Sequence, residues 1–160
     1  MSEGGSVRAV AAADVTALKG LIAELGLFPS EMLEGMLAAY LARDFSGGFW
    51  LTYDAGGPLA IAHCGPDRMA EGTWYLHLIA VHPDRQGSGL GTALLNEVEQ
   101  ALHARGERLL LVEMSAVPEF DAARAFCLKR GFAEEARIRD FYQDGEDKVV
   151  FRKALAPSRR

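Results

Sequence analysis

Residues Leu76 to Leu95, LHLIAVHPDRQGSGLGTALL, constrain this chain more than any other stretch. The run opens as an apolar strand and turns at His82-Pro83-Asp84. It then passes glycines at 87, 89 and 91 and becomes an amphipathic helix. A strand feeding a glycine-rich turn at a helix N-terminus makes an anion site. The first backbone N–H groups of a helix lack intrahelical acceptors, and the helix dipole favours negative charge there. Glycine has no Cβ, so the backbone can approach an anion closely. The pattern points to a phosphorylated ligand.

Around this run, strands and amphipathic helices alternate. Val7–Val10 reads as a strand. Ala13–Leu25 reads as a helix with Leu18, Leu21, Ile22 and Leu25 on one stripe. Pro29-Ser30-Glu31 opens a second helix, in which Leu33, Met36, Leu37, Tyr40 and Leu41 keep the same period until Gly47-Gly48. Phe49–Tyr53 and Leu59–His63 form a hairpin pattern around Asp54 to Pro58, and Trp74–Val81 is the next strand. After the glycines, Leu90, Leu94, Leu95, Val98 and Leu102 mark the inner face of a helix that Gly106 ends. Arg108–Met114 is a strand with a run of Leu and Val that suits burial on both faces. Asp121–Arg130 is a short helix with Gly131 as its C′ residue, and Ala133–Arg139 with Lys148–Lys153 closes the chain as a hairpin around Asp144-Gly145. This order predicts an α/β (α+β) fold, a mixed and mostly antiparallel central sheet flanked by helices. The 160 residues suit a single domain, 1–160.

Composition narrows the function. Lys+Arg number 17 against 22 Asp+Glu, for a formal net charge of -5, so bulk electrostatics give nucleic-acid binding no support. Cys64 and Cys127 lie far apart and form no CxxC pair. The histidines at 63, 77, 82 and 103 lack metal-ligand spacing, so no metal site is expected. No apolar run is long enough to span a bilayer and MSEGGSVRAV has no signal-peptide core, so a cytoplasmic protein with no membrane partner is expected.

Two familiar phosphate loops fail. A P-loop needs Gly-Lys-Ser/Thr, and Gly91-Thr92-Ala93 lacks the lysine. A dinucleotide fingerprint needs GxGxxG early in a βαβ unit, and this chain has GxGxG after four strands. The pattern that is met is Gln/Arg-x-x-Gly-x-Gly/Ala, as Gln86-Gly87-Ser88-Gly89-Leu90-Gly91. It resembles the acetyl-CoA loop of the GNAT superfamily of N-acyltransferases. IAVHPDRQGSGLGTALL is similar to that family's strand–loop–helix core. ARAFCLKRGF (Ala123–Phe132) resembles its A-x-x-F-Y-x-K-x-G-F helix, and DFYQDGEDKVVFRKAL its closing hairpin.

The resemblance implies a GNAT-like domain that binds acetyl-CoA. The amides of Gln86, Gly87, Ser88, Gly89, Leu90 and Gly91, with Thr92, would hold the pyrophosphate. The backbone of Ile79, Ala80 and Val81 would meet the pantetheine as an added strand does. Cys127 and Lys129 complete the expected cofactor contacts, although a surface charge such as Lys129 is more often only solvated. The expected reaction is acetyl transfer to a primary amine of a small molecule. A protein N-terminal or lysine acetyltransferase and a non-catalytic acyl-CoA sensor stay open as alternatives, and a homodimer is a possible assembly.

Alkyl amines have a pKa of about 10.4, so the acceptor must lose a proton before attack. His77 is the preferred base, because a free imidazole titrates near ~6.5. The string HLIAVH at 77–82 resembles that of arylalkylamine N-acetyltransferases, where the matching histidine helps deprotonate the amine. Their second histidine, two residues earlier, is here Tyr75, and strand alternation puts it on the face of His77, which allows a relay through water. A backbone-bonded core histidine is the plainer alternative for His77. Glu113 is the rival base, or simply a solvated strand-end carboxylate. The backbone N–H of Leu78 or Ile79 is the natural oxyanion donor. Many family members carry a tyrosine acid where this chain has Cys127, and Tyr142 is the candidate substitute. Phe28, Tyr53, Phe120, Phe141 and Tyr142 are candidate walls of the amine pocket, each equally able to be core.

Overall fold

Apolar residues at helical and strand spacing fix most of the elements. The structure is a computed structural model and describes residues 4–155. Its strands are β1 (Ser6–Ala9), β2 (Phe49–Asp54), β3 (Pro58–Pro66), β4 (Thr73–Val81), β5 (Leu109–Ser115), β6 (Ala133–Gln143) and β7 (Glu146–Ala154). The helices are α1 (Val15–Leu25), α2 (Met32–Leu41), α3 (Leu90–Ala104) and α4 (Asp121–Lys129). The sheet runs in the order β1-β2-β3-β4-β5-β7-β6. The β1–β2, β2–β3, β5–β7 and β6–β7 pairs are antiparallel, and β4 pairs with β5 in parallel over Thr73–Tyr75 against Leu109–Leu111. This is the mixed, mostly antiparallel α/β sheet that the element order predicts.

Several elements differ in length from the sequence reading. β3 continues past His63 to Pro66, because Cys64 still pairs with Phe49. β6 runs to Gln143 and β7 starts at Glu146, so the hairpin turn is tighter than expected. α2 starts at Met32, after a turn closed by Met32 N–H on Pro29 O at 3.0 Å.

Among the described residues the chain packs as two compact units. The first holds the positions up to Pro66 together with His77–Ala101, and the second holds Asp67–Leu76 with the positions from Leu102 onward. The core of the first joins Leu18, Leu21 and Ile22 of α1, Leu33 and Leu37 of α2, Trp50, Ile61 and Ala80. Fully burying such a side chain stabilises by about 1.5–3 kcal/mol. Arg8 ties the start of α1 to the sheet: its guanidinium meets both Asp14 carboxylate oxygens at 2.8 Å and Asp54 Oδ2 at 3.0 Å. That contact holds the Asp14 carboxyl below its ordinary range. In the second unit β5 lies against β7 from Leu109↔Ala154 to Ser115↔Lys148, with Leu110, Val112, Val149 and Phe151 buried.

β4 carries a bulge. The N–H of Asp67 meets Thr73 O at one end of its ladder with β3, and the N–H of His82 meets Leu59 O at the other, both at 2.8 Å. Eight residue steps separate Leu59 from Asp67, but nine separate Thr73 from His82. The two counts differ by one, so β4 carries one extra residue between Thr73 and His82. Side-chain packing agrees. The His77 ring lies beside His63, and the next residue, Leu78, packs on the cluster that holds Trp50 and Ile61.

The turn after α2 lies directly on β3. Gly48 has φ +105, and a Cβ there would stand 1.9 Å from Cys64 O. Gly20, on the exposed side of α1, has open space around its Cβ position. Gly48→Ala is expected to lower unfolding free energy by about 2 kcal/mol or more, from backbone strain plus the clash. Gly20→Ala is expected to raise it by about 0.5–1 kcal/mol through helix propensity. Urea midpoints of the two variants give opposite signs if the turn is seated as described.

Candidate active site

The glycine loop follows β4 within the first unit. Pro83–Arg85 forms one helical turn, closed by Arg85 N–H on His82 O at 2.8 Å and by Asp84 N–H on His82 Nδ1 at 3.1 Å. The Ser88 hydroxyl donates to Arg85 O. Gly87 and Gly89 have φ +82 and +92, the left-handed region that glycine reaches without strain, and a Cβ at either would meet nothing within 4 Å. The space over the loop is therefore open. The first bond of α3 is Ala93 N–H on Gly89 O at 3.0 Å, so the amides of Leu90, Gly91 and Thr92 precede the helical ladder. Leu90, only 1% exposed, anchors the helix start with its side chain and offers the loop only its amide.

Strand alternation sorts the residues before the loop. The N–H of His82 points at β3, so the backbone groups of Val81 and Ile79 point the other way. Val81 O there accepts Gln86 Nε2 at 3.1 Å. Ala80 faces the opposite way: its backbone turns toward Ile61 and its side chain is core.

His77 is exposed on β4. The edge of its ring, Nε2 and Cδ2, lies 3.2 and 3.3 Å from the position a Cβ would take on Gly65. The imidazole beside it belongs to His63, with ring centroids 5.2 Å apart. Burial, and then the charge of His77, push the His63 imidazole down to about 4. Tyr75, the residue expected to relay to His77, has its hydroxyl in a hydrogen bond with Asp67. Burial and that bond raise the Tyr75 phenol above its ordinary value. The second histidine escaped the sequence reading because it comes from the neighbouring strand, at a register no local pattern encodes.

The remaining candidates belong to the second unit. Glu113 accepts an ion pair from Lys148 Nζ at 2.7 Å, and the same ammonium stands 4.0 Å from the centroid of the Phe141 ring. Tyr142 packs edge-on against Phe141 at 5.0 Å. Burial raises its phenol, with Glu113 and Glu146 adding to the shift and Lys148 opposing it. Phe120, Phe141 and Tyr142 are exposed. Cys127 is buried on α4, and burial pushes its thiol up to about 11, so it stays protonated at neutral pH. Lys129 is exposed at the end of the same helix.

Two pocket candidates in the first unit are packed. Tyr53 is only 3% exposed, on the side of β2 opposite Trp50, and the backbone at Gly5 lies against its ring. It is a core residue and does not line an open pocket. Phe28 is half-buried against the α1–α2 core. Among the described residues there is no cluster of three His, Cys, Asp or Glu side chains that could hold a metal, and no helix is long and apolar enough to cross a membrane.

A strand running into a glycine loop at a helix N-terminus is a scaffold that can hold a phosphorylated ligand. Residues 21–132 match the family model described as acetyltransferase (GNAT) family. The chain belongs to the GNAT acetyltransferases, acyltransferases that use acetyl-CoA. A GNAT-family protein from Desulfovibrio desulfuricans is 30% identical, with a TM-score of 0.89 over 95% of this chain and 99% of that one. The ribosomal-protein-S18-alanine N-acetyltransferase of Escherichia coli shares the fold at 22% identity, with a TM-score of 0.77 over 98% and 97%. A Salmonella typhimurium protein solved with acetyl-CoA shares it at 20% identity, with a TM-score of 0.78 over 99% and 98%. A search of curated proteins finds no match.

Gly89→Val is expected to weaken CoA binding by about 5- to 100-fold, the equivalent of 1–3 kcal/mol of backbone strain in the loop. Calorimetric titration with CoA measures this, and an unchanged affinity would remove the loop from the cofactor site. Stability also carries a signature of His63. Its folded value lies below the unfolded 6.5, so its contribution is full above 6.5 and is lost as pH falls toward about 4. Urea midpoints of His63→Phe should fall less over that range than those of the parent protein.

Proposed function

We propose that this protein acetylates a primary amine of a small molecule by direct attack of the amine on acetyl-CoA, with His77 as the base. One observation carries this reading: an exposed imidazole stands at the bulge of the strand that runs into the glycine loop, all within one unit. The loop suits the cofactor, because the Cβ positions of Gly87 and Gly89 are open and the amides of Leu90, Gly91 and Thr92 precede the ladder at the positive end of α3. Ile79 and Val81 offer backbone groups on the edge turned away from β3, which suits the amides of a pantetheine arm. When bound, acetyl-CoA supplies a thioester whose sulfur leaves as a thiolate.

The chain's own groups supply the rest. His77 takes a proton from the ammonium form of the acceptor and passes it to solvent. The freed amine forms the new C–N bond as the C–S bond breaks, and the second amine proton is balanced by protonation of the departing sulfur. The extra residue in β4 takes one residue's backbone groups out of the ladder, which leaves an N–H suited to the carbonyl oxygen as charge grows on it. A thiol of pKa about 8.5 leaves readily, so the loss of the usual tyrosine to Cys127 is tolerable. Glu113 is a weaker candidate base because Lys148 already occupies its carboxylate.

Free-thiol release with a panel of small amines and N-terminal peptides tests the proposal. Turnover with peptides alone would move the assignment to a protein acetyltransferase, and CoA binding without turnover would leave only a sensor. His77→Gln is expected to lower kcat/KM by ~10²–10⁴ at neutral pH. Glu113→Gln should lower it by less than ~10-fold, below the contribution of a general base. The reverse ranking would transfer the role to Glu113.

A further inference from the structure

His63 has no part in the reaction as described, yet every contact around it converges on His77. The β2–β3 register places Trp50 directly across from His63, and the two rings stack 3.9 Å apart at an interplanar angle of 5°. At its edge, His63 Nε2 lies 3.3 Å from Gly47 O. A carbonyl can only accept, so that contact puts the proton on Nε2 and leaves the lone pair on Nδ1. The carbonyl is itself fixed. Gly48 presses on the backbone of Cys64 and Gly65, and a Cβ on Gly65 would stand 2.7 Å from Gly47 O. The His77 ring borders this assembly on two sides, with its Nε2 edge over Gly65 and the His63 ring 5.2 Å away.

We propose that His63 is a positioning residue for His77: an imidazole locked by Trp50 and Gly47 that fixes the ring of the base and remains neutral when that base takes up a proton. This rests on the assignment of His77 as the base. Burial supports it, since His63 resists protonation and does not compete for the proton His77 takes from the amine. A histidine that titrated freely at this distance would share that proton or add a second charge beside it.

The test is a double-mutant cycle in kcat/KM with acetyl-CoA and the best amine of the panel, using His63→Phe and His77→Gln. Phenylalanine keeps a ring on Trp50 and loses the bond to Gly47. Thermal unfolding and CoA affinity serve as controls for folding. The expected result is a 10- to 100-fold loss in kcat for His63→Phe with the KM for acetyl-CoA unchanged, and an altered acid limb of the pH profile. In the His77→Gln background, the same change should have no further effect. Nitrogen-15 imidazole spectra should show His63 as the Nε2–H tautomer from pH 8 to pH 5, and the His77 titration should move in His63→Phe. A His63→Phe enzyme with parental rate and pH profile overturns the positioning role alone. An equal loss in both backgrounds overturns it too, since His63 would then act independently of His77. Full activity in His77→Gln overturns the base assignment and the inference together.

Discussion

The seating of the Gly47–Gly48 turn on the backbone of β3 is the contact on which the first unit depends. It has no side-chain tolerance: the Cβ position of Gly48 lies 1.9 Å from Cys64 O, and that of Gly65 lies 2.7 Å from Gly47 O. Two backbones can approach this closely only where both carry hydrogen in place of a side chain. From this crossing the rest follows in sequence. Trp50 enters β2 two residues later, stacks on His63, and fills the core beneath α1 and α2. His63 is held by the Gly47 carbonyl, and His77 lies over Gly65. A turn between a helix and a strand thus sets the surroundings of an imidazole two strands away.

β4 joins this frame to the cofactor loop. Between Thr73 and His82 the strand carries one residue more than the stretch from Leu59 to Asp67. The extra residue serves two ends. It brings His77 and Leu78 to the same face, so a polar ring stands exposed while the adjacent leucine remains with the core. It also releases backbone groups at the point where a thioester carbonyl would need a donor. Beyond it, the outward-facing backbone of Ile79 and Val81 leads into a loop whose amides precede the α3 ladder.

Much of this was legible in local pattern. The stripes of α1 and α3, the glycine spacing and the order of the strands all rest on interactions between near neighbours in sequence, which leave a periodic trace. The stop at Gly131 was likewise legible, and it is realised by Phe132 N–H on Cys127 O at 3.0 Å. Other features left no trace. β6 reads AEEARIRDFYQ, and every residue of it is exposed, so no alternation marks its end; its length is set by pairing with β7. Tyr53 looked like a pocket aromatic, but the strand face it occupies is covered at Gly5.

The sequence by itself determined the glycine loop, the element order and a histidine on the strand before the loop, because each is a matter of residue type at short spacing. Only the tertiary structure decided which groups surround that histidine. His63 and His77 are fourteen positions apart in sequence. They meet because β3 and β4 are neighbours in the sheet, and which residues face each other there is set by packing and hydrogen bonding between the strands. Tyr75, two residues away on the same strand, gives its hydroxyl to Asp67 for the same reason. The partner of a side chain on a sheet is chosen by the neighbouring strand, and strand register is a property of the folded chain.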